Sequence, residues 1–258
     1  MDFSGEMAAI QQQLARSHDM NVRRTRVLET LDAAPGERVL EVGCGSGLYL
    51  RDVGVAVGPT GAAVGVDTSE DQVRVAGAHC ADLRQVDVRV GDLLALGGLG
   101  QPFDATLSVQ VLEYVANVAA AVAGLADLTR PGGRFVNVAT NWGALFWTGG
   151  NTALTARIVA TWDEHAPHPN LPVALPSLLE TSGFGGVRQA PVTIINRHFD
   201  PNTFGYGAAR LMAAFALTRA DVSSLDVEAW FSSLEEADAE GRYFLSSVPV
   251  LTTATRLG

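Results

Sequence analysis

The sequence predicts an α/β fold: a doubly wound, mostly parallel, seven-stranded sheet with N-terminal helices and helical cap insertions. Three observations predict it. Short β-branched runs alternate with amphipathic helical stretches from residue 38 to 195, the pattern of a parallel sheet covered on both faces. One apolar run, Val39 to Val42, passes straight into Gly43-Cys44-Gly45-Ser46-Gly47. An acid, Asp67, ends the next apolar run, twenty residues after Gly47.

In chain order, Phe3, Met7, Ile10 and Leu14 share one helical face. A second helix carries Val22, Val27, Leu28 and Leu31 and stops at Pro35-Gly36. These helices suit a sheet-edge cover, a subunit contact or a lid. Strand one is 38–42, and Leu48 to Val53 opens the helix after it. Pro59-Thr60-Gly61 turns into strand two, 62–67. Thr68-Ser69-Glu70-Asp71 reads as a helix start with acids in its first turn. Strand three is 86–90, ending in Gly91-Asp92-Leu93; strand four is 103–109. Leu112, Val115, Val118, Val122 and Leu125 form a helix of 3.6 period. Pro131-Gly132-Gly133 turns into strand five, 134–139.

After strand five the alternation breaks. Residues 140–172 hold Trp142, Phe146, Trp147, Trp162, His165 and His168. A helix over 171–182 then leads to strand six, 187–195. A second insertion, 197–241, carries two helices, one with Phe204, Leu211 and Met212, the other with Val227, Trp230 and Leu234. A last strand spans 243–255. No repeat or linker interrupts the chain, so the expectation is one domain with an N-terminal arm (1–34) and cap insertions at 140–172 and 197–241.

Composition narrows the function. The chain has 258 residues and a formal net charge of −10. That excess of acids argues against nucleic acid or an anionic membrane as the main partner. No apolar run is long enough for a membrane span, and residues 1–13 lack the basic start of a targeting peptide, so a cytoplasmic location is expected. High Ala and Gly with no Lys suggests a bacterial source. Cys44 and Cys80 have no metal-type spacing, and no metal is expected.

The glycine order discriminates among nucleotide folds. A dinucleotide site wants G-x-G-x-x-G; here the order is G-x-G-x-G, with Leu48 where the third glycine belongs. Glu41-Val42-Gly43-Cys44-Gly45-Ser46-Gly47 resembles the first motif of the class I S-adenosylmethionine (SAM) methyltransferases. Asp67, the Phe103-Asp104-Ala105 to Val115 stretch and Pro131-Gly132-Gly133-Arg134-Phe135 resemble further motifs of that family, in the right order, over residues 35–140. The sub-pattern is similar to quinone-biosynthesis C-methyltransferases and other small-molecule methyltransferases. Those relatives often read Glu-His-Val after strand four; here it is Glu113-Tyr114-Val115.

The resemblance implies SAM as cofactor and S-adenosylhomocysteine as its product. It implies a cofactor set of Glu41, Gly43, Gly45, Gly47, Asp67, Thr68, Asp92, Leu93 and Gln110. Asp67 would grip the ribose, Asp92 the adenine amino group, and Leu93 would pack on the ring. Gln110 would lie near the methionine end. Methyl transfer from a sulfonium is an in-line displacement dominated by positioning, and an oxygen or carbon acceptor also loses a proton. His165 and Tyr206 are the candidate bases, and Trp142, Trp147, Trp162 and His168 the candidate substrate wall. The acceptor expected is a small, largely apolar molecule, and the protein a monomer or homodimer. A SAM-binding protein that performs a non-methylating reaction such as cyclisation is the rival within the fold. An NAD-dependent oxidoreductase is the rival outside it.

Overall fold

The computed structural model describes residues 5–258; Phe3 of the expected first helical face lies outside the described residues. The elements run α1 (Gly5–Ala15), α2 (His18–Leu31), β1 (Arg38–Val42), α3 (Leu48–Val57), β2 (Ala62–Asp67), α4 (Glu70–His79) and β3 (Val86–Val90). Then follow β4 (Phe103–Val109), α5 (Val118–Leu128), β5 (Thr129–Thr140), β6 (Phe146–Thr148), α6 (Thr152–Trp162) and α7 (Leu171–Thr181). The chain continues through β7 (Phe184–Pro191), β8 (Ile194–Asn196), α8 (Phe204–Ala216), α9 (Ser224–Ala239), β9 (Phe244–Ser247) and β10 (Pro249–Arg256). No described helix is long and apolar enough to cross a membrane.

The described chain divides into two compact units, where the sequence suggested one domain with appendages. The first comprises Arg24–Thr140, Asn170–Pro191 and Val250–Gly258. Its seven-stranded sheet has the order β3-β2-β1-β4-β5-β10-β7. The first five strands are parallel and β10 runs antiparallel to β7. Parallel strands covered on both faces need continuous apolar runs, and β1 and β2 have them: Val39, Leu40, Val42, Ala63, Val64 and Val66 are all buried. Register sets Val42 beside Val66 and Ser108, and Asp67 beside Val90. The carboxyl ends of four strands therefore finish along one edge, where ligands of open α/β sheets bind. One core cluster gathers Leu40, Phe103, Leu125, Phe135, Leu175 and Phe184 around this sheet.

The second unit contains the described part of Met1–Arg23 together with Asn141–Pro169 and Val192–Pro249. It has its own three-stranded sheet, β6-β9-β8, antiparallel throughout. It also has its own core, with Trp142, Trp162, Phe204, Met212, Trp230 and Leu245 in one cluster. The physical reason for two units is this second core: the insertions hold enough large aromatics to bury their faces among themselves.

Several element boundaries differ from the sequence expectation. Strand six ends at Pro191, and Ile194–Asn196 becomes β8 of the other sheet. The single last strand is two, broken at Val248, again shared between sheets. β5 starts at Thr129, because Thr129 pairs with Phe103 before a register shift, so Pro131–Gly133 lies inside the strand. The helix expected from Leu112 is a short 3₁₀ turn over Leu112–Tyr114, and α5 begins at Val118 after Asn117 caps it. The aromatic stretch after β5 contains a helix, α6, capped by the Asn151 side chain.

Candidate cofactor site

The glycine loop joins β1 to α3. Gly43, Gly45 and Gly47 all have positive φ, at 63°, 52° and 78°, a region that side chains disfavour. Their surroundings differ. A Cβ on Gly43 would lie 2.2 Å from Val111 Cγ2, and one on Gly47 would lie 2.9 Å from Ala76 Cβ. At Gly45 nothing stands within 4 Å. Gly43 and Gly47 thus serve close packing, while Gly45 faces open space.

Asp67 locks that loop to the end of β2. Its carboxylate accepts from Gly45 N–H at 2.9 Å through Oδ2 and from Ser69 N–H at 2.9 Å through Oδ1. An ionised carboxylate has about four acceptor positions, so two remain for a pair of hydroxyls. Ser69 then caps α4, its side chain accepting from Gln72 N–H, and Thr68 between them is exposed. One turn further along the edge, Asp92 caps a short 3₁₀ turn by accepting from Leu94 N–H at 2.9 Å. Asp92 is exposed, whereas Leu93 is buried in the sheet's core cluster.

Glu41 sits inside β1 at 2% exposure. Burial raises its pKa well above the usual carboxylate range, and the Asp67 and Asp52 charges push the same way, so the neutral acid is favoured. Its Oε2 has no hydrogen-bond partner among the described residues. Burial likewise pushes the Cys44 thiol up, with Glu41 adding to it; a buried neutral thiol in the loop is a space-filler. Groups of three or more His, Cys, Asp or Glu able to hold a metal are absent among the described residues.

At the end of β4, Gln110 adopts φ 55°, uncommon for a residue other than Gly, Asn or Asp. Its side-chain amide is held within the protein. Nε2 donates to Glu113 Oε1 at 2.7 Å, and the Thr140 hydroxyl donates to Oε1 at 2.9 Å. Glu113 and Thr140 are both buried, and neither belonged to the expected site. The signal for Glu113 was its place in the motif after strand four; for Thr140 the sequence held none.

The candidate catalytic and substrate residues lie in the second unit. His165 is 2% exposed, stacked on Trp162 at 4.1 Å and set edge-on to Trp142 at 5.3 Å. Its Nδ1 faces the Trp162 carbonyl oxygen. Burial lowers its pKa to about 4, against a smaller opposing effect of that carbonyl. The surroundings are those of a packed core histidine. Trp142 and Trp162 are core residues of the same cluster. Trp147 packs on Trp230 at 5.4 Å and borders a cleft of about 190 Å³ with Leu145, Thr152, Thr155 and Val159. Tyr206 is half-buried against Phe199, with ring centroids 5.0 Å apart, and His168 is half-buried.

The His165 environment has a measurable consequence. Unfolded, its pKa is about 6.5; folded, it is lowered to about 4. The folded state binds fewer protons between those values, so stability contributed above about pH 6.5 is lost as pH falls toward 4. Thermal midpoints taken from pH 7.5 to 4.5 should drop more for the native chain than for His165→Phe. Parallel curves would mean that the histidine is solvated.

A glycine loop opening onto empty space at Gly45 and an acid that ties the Gly45 amide to the start of α4 form a nucleoside-cofactor type of site at the end of β1 and β2 on a doubly wound sheet. Comparison with known proteins gives the family. A family described as "Methyltransferase domain" matches residues 39–133. The ubiquinone biosynthesis O-methyltransferase of Mesorhizobium japonicum is 31% identical over 195 residues, 74% of this chain and 71% of that protein. The chain belongs to the class I SAM-dependent methyltransferases. Nocamycin O-methyltransferase of Saccharothrix syringae is 36% identical over 111 residues, 42% of this chain and 40% of its own length. Two other relatives are likewise spanned over only 39% and 46% of their lengths. Among solved structures, the [4+2]-cyclase SpnF superposes with a TM-score of 0.59 at 19% identity, over 93% of this chain and 82% of that one. At that identity the likeness is one of fold.

Proposed function

We propose that the protein transfers the methyl group of SAM to an oxygen or carbon of a small, largely apolar molecule. The observation that carries this is the Asp67 carboxylate, bridged between Gly45 N–H and Ser69 N–H beside the open face of Gly45. The ribose hydroxyls would take the remaining Asp67 acceptors, and the methionine part would pass over Gly45. SAM, when bound, supplies a methyl group on a sulfonium. The acceptor's electron pair forms the new bond, the carbon–sulfur pair stays on S-adenosylhomocysteine, and the acceptor proton passes to solvent or a nearby base. Positioning of the two partners can contribute on the order of 7–11 kcal/mol.

Oxygen is the favoured acceptor atom, because the relatives above are named as O-methyltransferases. The apolar class rests on the aromatic content of the second unit. Trp147 and its cleft are the proposed contact for the acceptor's body. In this reading His165, the first candidate base, packs in the core with its Nδ1 on the Trp162 carbonyl, Tyr206 is a wall residue, and no enzyme base is required. The acidic balance, −10 formally, supports a small-molecule partner over nucleic acid, and a monomer or homodimer suffices for the chemistry.

The test incubates the protein with SAM and a panel of phenols and enols, following S-adenosylhomocysteine. Acceptor-dependent product is expected. A second reading has one specific support, the fold shared with a cyclase: SAM would bind and stay intact while the second compound changes. Binding of NAD in place of SAM by calorimetry would remove both readings.

A further inference from the structure

The exit of β4 brings two residues outside the expected cofactor set, Glu113 and Thr140, onto one member of that set, Gln110. Gln110 occupies left-handed backbone space at φ 55°. Such a conformation persists in a residue with a Cβ only where the surroundings hold it. Here they do. Gln110 N–H donates to Val138 O at 2.8 Å. Its side-chain amide is gripped by Glu113, at 0% exposure, and Thr140, at 1%. The next residue, Val111, fills the space where a Cβ on Gly43 would stand. The left-handed turn at Gln110 therefore sets the side chain against which the first loop glycine rests.

We propose that Glu113 and Thr140 are positioning residues for cofactor binding: they clamp the Gln110 amide, keep its backbone left-handed, and so hold Val111 against Gly43 and the glycine loop in its binding shape. The inference rests on the reading of that loop as the SAM site. Its chemistry is simple. Two polar groups satisfy the amide inside the protein, so Gln110 contributes through its backbone while its side chain is engaged by neighbours. The buried Glu113 carboxyl group accepts an N–H by the same contact, so one of its own polar atoms is satisfied too.

The test measures SAM affinity by calorimetry and thermal midpoint on the whole chain. Thr140→Val keeps the side chain's shape and removes the hydroxyl that donates to Gln110 Oε1. It should weaken SAM binding about 10-fold, the cost of a lost buried hydrogen bond that holds a site in place. Glu113→Gln should act in the same direction. Adding Gln110→Gly to Thr140→Val should recover most of the lost affinity, because glycine adopts positive φ without a clamp. A lower thermal midpoint with unchanged affinity in Thr140→Val would reduce the clamp to ordinary core and overturn the proposal. Failure of Gln110→Gly to restore binding would overturn it too, by showing that the amide itself meets the ligand. A native chain that binds no SAM would overturn the site reading and the clamp together.

Discussion

Gly45→Val should abolish SAM binding while leaving the protein folded. The position has φ 52°, and no atom lies within 4 Å of an added Cβ. Valine there carries left-handed strain of about 1–2 kcal/mol, a cost that a stable domain of this size absorbs. Its branched side chain would project into the space proposed for the cofactor. Calorimetry should show no detectable binding, with far-ultraviolet circular dichroism near native. Gly43→Val is the informative contrast. Its Cβ would stand 2.2 Å from Val111 Cγ2, so that variant should lose stability and binding together. Normal SAM binding by Gly45→Val would place the ligand elsewhere.

Asp67→Ala should weaken SAM binding by about 1.5–3 kcal/mol, the worth of hydrogen bonds to a charged group. That is a loss of about 10- to 150-fold. Alanine also leaves Gly45 N–H and Ser69 N–H without their carboxylate, so a drop in thermal midpoint should accompany it. Asp67→Asn separates the two effects: the amide oxygen can still serve one of those N–H groups, but the negative charge that attracts the cofactor's hydroxyls and sulfonium is gone. Affinity should stay low in both variants while stability recovers partly in the second. Unchanged affinity in Asp67→Ala would remove the acid from the site.

Most of the parallel half of the sheet was legible because β1, β2 and β4 are buried on both faces, while the edge strand β3, only partly covered, shows Val86, Val88 and Val90 alternating with Asp87 and Arg89. β1, β2, β3 and β4 fall where their apolar runs end. The boundary glycines were legible for a related reason: a backbone that turns sharply at positive φ restricts its own residue types. What escaped is instructive. α6 was hidden because Thr152, Thr155, Ile158, Val159 and Thr161 are β-branched and have modest helix propensity; packing decided for the helix. β6 and β8 have three residues each, too few for any periodicity. The breaks near Val192 and at Val248 are invisible to hydrophobic patterning, because the chain stays apolar while it changes sheets. Gln110 carries no local mark of a left-handed residue. Its conformation depends on Glu113, three positions on, and Thr140, thirty positions on. Only the first of these fell within a motif. The aromatic residues were seen correctly as a cluster, but their density signalled a hydrophobic core as much as a binding wall, and Trp142, Trp162 and His165 went to the core.

The strand order has a consequence for biosynthesis. β10 lies between β5 and β7, yet the ribosome delivers it after every other described strand. Residues up to Thr140 can complete the five parallel strands as they emerge. β7 then waits for more than fifty further residues before its neighbour arrives, and β5 meanwhile presents an open edge with apolar flanks. Open edges of this kind recruit other chains, and slow non-local pairing prolongs the exposure. A ribosome stalled before Pro249, or a nonsense codon there, would release a nascent chain with that edge uncovered. Such products should enter the insoluble fraction or be bound by chaperones, even though the glycine loop and Asp67 would already have been made.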